Sequence, residues 1–157
     1  MVRCSFFLVL MIMIGCTAKN ANPINLVNEK IAVLKTDKSF SDMSEEKGMK
    51  AAFMEYIDSN GILLRPGHLP ILEADAIDYL LRQEDGSYTL NWQPQNAFVA
   101  ASADMAYTYG VYALHPKQVD TVLYGTYVNI WKKQGDGRWK FVLATGNEGI
   151  GIDSTQF

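Results

Sequence analysis

Apolar positions along this chain recur first with a helical period and later with a period of two. Ile24, Val27, Ile31 and Leu34 lie three or four residues apart, which predicts one apolar face of a helix. Asn22-Pro23 offers it a cap and a first-turn proline, and the polar stretch from Asp37 to Ser41 reads as its break. Asp42-Met43-Ser44-Glu45 has the spacing of a capping box for a second helix. Met49, Ala52, Phe53, Tyr56 and Ile57 share that helix's apolar face, and Asp58-Ser59-Asn60-Gly61 reads as its stop. Ile62–Arg65 is a short strand closed by Pro66-Gly67, and Ala74, Ile77, Leu80 and Leu81 mark a third helix.

From Tyr88 the pattern alternates. Tyr88, Leu90 and Trp92 face one way and Thr89, Asn91 and Gln93 the other, until Pro94 forces a bulge or break. Met105–Leu114 and Val119–Lys133 read as long strands, and Gly135-Asp136-Gly137 as a hairpin turn into a strand over Arg138–Thr145. In that last strand Trp139, Phe141 and Leu143 fall on one face, Val142 and Ala144 on the other. Helices followed by a meander of strands predict an α+β domain.

The N-terminal pattern differs. Arg3 precedes an unbroken apolar run from Phe6 to Ile14, which is too short to cross a hydrocarbon core of about 30 Å as a helix. A charged start, a short apolar run and a small residue make a secretory signal. Met13-Ile14-Gly15-Cys16 resembles a bacterial lipobox, with cleavage before a cysteine that takes lipid. The other reading is an ordinary signal cut near Ala18. Residues 1–15 are thus a signal peptide, 16–22 a tether and 23–157 a single domain. Thr17 after the cysteine implies, by the sorting rule of Gram-negative lipoproteins, the outer membrane facing the periplasm.

Charge and composition narrow the chemistry. The formal net charge is −3, and the chain without its signal, which holds Arg3, stands at −4. No basic excess remains for a phosphate backbone, so nucleic acid is not an expected partner. The cysteines are Cys4 and Cys16, so the domain has no internal disulfide to draw on. His68 and His115 lack metal-ligand spacing. Gly146-Asn147-Glu148-Gly149-Ile150-Gly151 lacks the strand–loop–helix context of a dinucleotide site. No cofactor is expected.

Four segments carry a family resemblance: Ile62-Leu63-Leu64-Arg65-Pro66-Gly67, Ala76-Ile77-Asp78-Tyr79-Leu80, Ala106-Tyr107-Thr108-Tyr109-Gly110, and Tyr127 to Leu143. Together they resemble the nuclear-transport-factor-2-like superfamily, in the branch known only as a domain of unknown function, related to SnoaL-like cyclases and ketosteroid isomerase. The resemblance implies a cone-shaped, cystatin-like fold: three N-terminal helices packed on a strongly curved, mostly antiparallel sheet. It also implies a conical cavity and a homodimer. Members include cofactor-independent enzymes and non-catalytic binding or assembly modules, so the fold alone does not choose. Ketosteroid isomerase uses an Asp base with a Tyr and a protonated Asp as oxyanion donors. The resemblance places Arg65, Phe40 and Asn129 at those three positions, which removes the base and one donor.

The resemblance points Tyr107, Tyr109, Tyr127, Asn129 and Trp131 into the cavity, with Arg65 at its side. The plain alternative for the aromatics is core or a dimer face. Arg65 either clamps a carboxylate or carbonyl, or sits at the mouth paired with Glu73 or Asp75. His68 is a weak candidate for a general base or an ordinary loop histidine, and Glu148 and Asp104 are the remaining candidate bases. The expected function is a lipid-anchored pocket for a small, largely apolar ligand, with a non-catalytic binding or assembly role favoured. The alternative is a cofactor-independent isomerase, cyclase or dehydratase acting on a small carbonyl compound.

Overall fold

The computed structural model describes residues 25–150. The signal peptide, Cys16, the tether and the Asn22-Pro23 cap lie outside the described residues. Helix α1 (Leu26–Lys47) begins at Asn25, whose side-chain oxygen accepts from the backbone N–H of Val27 at 3.1 Å and Asn28 at 3.2 Å. It runs unbroken through Asp37–Ser41, where the sequence predicts a stop. The reason is the direction of its polar residues. Val33, Asp37, Phe40, Ser41 and Ser44 make one buried face at helical spacing, and the polar members meet partners on the sheet rather than their own backbone. The predicted stripe is correspondingly turned outward: Val27 is 67% exposed and Ile31 58%.

Gly48, at φ +89°, ends α1 in a conformation that favours glycine, and α2 (Met49–Tyr56) follows at once. Its buried face is the predicted one, with Met49, Ala52 and Phe53 in the core. The chain then enters β1 (Ile57–Leu64) directly, so Asp58–Gly61 is strand rather than helix stop. Asp58 holds this irregular stretch by accepting from Asn60 N at 2.9 Å and from Gln134 Nε2 at 2.7 Å. The short β2 (Ile71–Leu72) leads into α3 (Glu73–Arg82), whose buried residues are Ala76 and Leu80.

Four long strands complete the fold: β3 (Tyr88–Val99), β4 (Met105–Pro116), β5 (Leu123–Lys133) and β6 (Trp139–Glu148). The sheet order is β2-β1-β6-β5-β4-β3, antiparallel except for the β1–β6 pair. The result is an α+β fold with three helices on one curved sheet. No helix among the described residues is long and apolar enough to cross a membrane.

Two bulges decide which side chains face the helices. On β3 the register with β4 shifts between Pro94 and Asn96, where the proline predicts it. On β6 the register shifts opposite Ile130/Trp131 and leaves Val142 as the extra residue. Simple alternation fails there: Phe141 and Ala144 are both buried, and Leu143 turns away. The hairpin at Gly135–Gly137 is as predicted, with Gly137 at φ +86° and Gln134 N donating to Arg138 O at 2.8 Å.

Trp139 starts β6 and is 4% exposed, yet its indole N–H has no partner among the described residues. The residue therefore contributes through apolar area rather than polarity. Trp139→Ala is expected to cost about 3–5 kcal/mol of stability in urea unfolding, and Trp139→Phe, which keeps part of the ring area, clearly less. Equal losses in both variants would show that the indole nitrogen matters after all.

Candidate functional site

The helices and the concave face of the sheet line a half-open cavity of about 260 Å³. Phe40 is one of its lining residues and is fully buried. Its ring lies 4.5 Å from Trp92, 4.8 Å from Phe53, 4.9 Å from Tyr56 and 5.5 Å from Phe141, centroid to centroid. The walls are mostly apolar and include Met49, Phe53, Leu80, Leu90 and Leu114. Polar groups enter at two places, one at the floor and one at the side.

At the floor, β4 and β5 bring facing residues into register. Thr108 lies opposite Asn129, Gly110 opposite Tyr127, and Tyr112 opposite Gly125. Each large ring sits over a glycine on the neighbouring strand. A Cβ at Gly110 would collide with Gln93 O and press on the Tyr127 ring, and one at Gly125 would collide with the Tyr112 ring. Large-against-small pairing fixes where the Tyr127 hydroxyl ends.

That hydroxyl donates to Asp37 Oδ2 at 2.8 Å. Trp92 Nε1 donates to Asp37 Oδ1 at 2.9 Å, and Asn129 Nδ2 reaches the same oxygen at 3.3 Å. Asp37 is fully buried behind these three side chains, all of which line the cavity. Burial raises its pKa above the ordinary 3.8, against the lowering effect of the donors from Trp92, Tyr127, Thr108 and Asn129. Burial and the neighbouring Asp37 raise the Tyr127 phenol, so it remains a donor. Behind the group, Trp131 Nε1 donates to Thr108 Oγ1 at 2.7 Å. Ser41 Oγ ties α1 to the edge strand by donating to Trp92 O and accepting from Trp92 N, both at 2.7 Å. Ser44 Oγ donates to Leu90 O at 2.7 Å.

At the side stands Arg65. Its Nη1 donates to Leu64 O at 3.0 Å and Ala144 O at 3.1 Å, and its guanidinium carbon lies 5.5 Å from the centre of the Phe53 ring. Burial lowers its pKa, opposed by the phenols of Tyr79 and Tyr88. The ion pairs among the described residues lie elsewhere, so the pairing with Glu73 or Asp75 is not found.

The structure thus brings together Arg65, Tyr127 and Asn129 of the predicted lining. It does not bring in Tyr107 and Tyr109. These alternate with the inward-facing Thr108 and Gly110, and they pair with Ile130 and Val128 on the opposite face of the sheet. Tyr107 is 42% exposed there and stacks on Phe98 at 5.1 Å. Trp131 faces inward but lies beneath the cavity as core, against Phe40 and Phe141. His68 is exposed on its turn, against Pro66 O at 3.0 Å, and is no part of the lining. Asp104 is exposed and bonded to Ser102, whereas Glu148 stands on the exposed rim and does line the cavity. Asp37, Trp92, Tyr79, Tyr88 and Tyr112 were not expected at the site. The one signal for Asp37 is its helical spacing from Val33 and Phe40, which puts an acid in the middle of a buried face. Among the described residues no cluster of His, Cys, Asp or Glu has the makings of a metal site.

No family model matches the sequence, and no curated protein matches it. Solved structures do match in shape. The chain is similar to an NTF2-like protein with a cystatin-like fold from Novosphingobium aromaticivorans, at 14% identity and TM-score 0.62, over 84% of this chain and 92% of that one. The fold is NTF2-like. A ketosteroid isomerase-like protein from Erwinia carotovora atroseptica aligns at 16% identity and TM-score 0.61, over 79% of this chain and 98% of that one. An LEH-like epoxide hydrolase of M. tuberculosis aligns at 11% identity and TM-score 0.54, over 78% of this chain and 81% of that one.

Asp37 holds its proton more tightly in the folded chain than in the unfolded one. Its contribution to stability is therefore complete below the unfolded pKa, near the ordinary 3.8, and is lost as pH rises through the raised folded value. The stability of the wild type relative to Asp37→Asn is expected to fall as pH is stepped up from about 4 and then to level off. Urea titrations at each pH give this difference, and one that grows with pH would reverse the assignment.

Proposed function

We propose that this chain is a lipid-anchored domain of the bacterial cell envelope, on the outer membrane facing the periplasm. Its cone binds a small, largely apolar molecule without transforming it, and the domain pairs with a second copy through the outer face of the sheet. The observation that carries the binding role is the cavity itself, with apolar walls and a few fixed donors at its ends. The observation that weighs against chemistry is the placing of the acids. Asp37 is sealed behind Trp92, Tyr127 and Asn129, and Glu148 stands on the exposed rim. The position before Pro66 holds a guanidinium, which cannot accept a proton. The outer sheet face supports pairing with the exposed apolar side chains of Phe98, Met105, Tyr107 and Val128.

One observation favours the alternative of a cofactor-independent isomerase, cyclase or dehydratase. Oδ1 of Asp37 receives two groups that only donate, so a proton on Asp37 belongs on Oδ2, facing the Tyr127 hydroxyl. Tyr127 then accepts from the acid and is free to turn its own proton toward a substrate carbonyl. Turnover of a small unsaturated ketone, reduced alike by Tyr127→Phe and Asp37→Asn, would move the balance to that reading.

Native mass spectrometry of the full chain released from membranes tests the three parts separately. The expected spectrum shows a dimer, a retained small molecule, and a lipid adduct that Cys16→Ser abolishes. A lipid-free mass equal to that of Cys16→Ser would remove the anchor. A clean monomer at high micromolar concentration would remove the pairing, and a chain that stays empty in the presence of cell extract would remove the binding role.

A further inference from the structure

We propose that the ligand of the cone is a small monocarboxylic acid, held head-on by Arg65; this rests on the binding role above and names its ligand class. Arg65 lines a cavity whose walls are mainly apolar, yet no carboxylate among the described residues lies within ion-pair distance of it. A guanidinium stays charged at physiological pH even when burial lowers its pKa. Arg65 is half-buried, so part of its hydration is lost with no counter-ion from the chain in return, and an anionic ligand supplies what the chain does not.

The geometry gives this charge a direction. Both hydrogen bonds from Arg65 to the protein leave from Nη1, to the carbonyls of Leu64 and Ala144. Those carbonyls and the Phe53 ring fix the plane of the guanidinium. None of the hydrogen bonds among the described residues uses Nε or Nη2. These two N–H groups form one edge of the guanidinium fork, which matches the two oxygens of a carboxylate. The phenols of Tyr79 and Tyr88 line the same cavity and add neutral donors without adding charge.

Size and the rim narrow the class further. A cavity of 260 Å³ holds about nine waters' worth of volume, hence a ligand of on the order of ten non-hydrogen atoms. Glu148 on the rim disfavours a second negative charge near the mouth. A single carboxylate on a short aliphatic or aromatic body satisfies all three constraints, and a dicarboxylate does not.

Fluorescence titration of the full chain reads the binding directly, because Trp92 lines the cavity. The probes are hexanoate, 1-hexanol and adipate. Hexanoate is expected to bind at least tenfold more tightly than hexanol, and adipate more weakly than hexanoate. Arg65→Gln is expected to bring hexanoate down to the level of hexanol and leave hexanol unchanged; Arg65→Lys, which keeps the charge and loses the fork, is expected to fall between. Equal binding of hexanoate and hexanol to the wild type would overturn the proposal and leave the binding role standing. So would a preference for hexanoate that survives Arg65→Gln, or adipate binding more tightly than hexanoate. Binding of neither hexanoate nor hexanol would overturn the binding role as well. If Arg65→Gln does not fold, as circular dichroism would show, the Arg65→Lys and adipate comparisons decide.

Discussion

The buried carboxylate of Asp37 joins the longest helix to the sheet. Its oxygens collect the Trp92 indole from β3 and the Tyr127 and Asn129 side chains from β5. A lone carboxylate in this position would cost several kcal/mol in lost hydration. Hydrogen bonds to a charged acceptor contribute about 1.5–3 kcal/mol each, so three donors recover much of that cost, although burial still holds the pKa above its ordinary value. A half-satisfied network would not. The arrangement therefore holds only when α1, β3 and β5 sit at one mutual distance. The serines one and two turns further along α1 repeat the device with backbone partners, closing the edge of β3 as a neighbouring strand would.

The fold was legible because most elements carry local signals that agree with each other. The face of α2, the turn at Gly135–Gly137 and the bulge after Pro94 follow from residue type and spacing. The site was only half legible. Asp37–Ser41 looks like a helix break because polar residues mid-helix usually compete for backbone hydrogen bonds, and nothing local tells that their partners lie more than fifty residues away. The family resemblance points Tyr107 and Tyr109 into the cavity. The sheet instead places the small Thr108 and Gly110 inward, to leave room for the rings of Tyr127 and Trp131 on the next strand. Parity along β6 was hidden by a bulge that no proline or glycine announces.

The two polar ends of the cavity have different characters. The floor is self-contained: Asp37 takes donors from Tyr127, Trp92 and Asn129, so these side chains are held in one orientation by the protein itself. The side is open: Arg65 is held by two carbonyls and a ring but not neutralised. A preformed pocket with one unmatched charge selects by the head group of its ligand and tolerates variation in the apolar body. A fold of this kind does not by itself fix a role; the side chains that line the cavity decide it.

The join between α1 and the sheet depends on Asp37 being a buried carboxyl enclosed by donors. Carbon-13 NMR of the side-chain carboxyl, followed from acid to neutral pH in wild type and in Asp37→Asn for assignment, reads its ionisation directly. The predicted result is a midpoint above the ordinary 3.8, moving higher still in Tyr127→Phe, where one donor to the carboxylate is gone. A midpoint at or below the ordinary value, unmoved by Tyr127→Phe, would contradict the network on which this description of the cone rests.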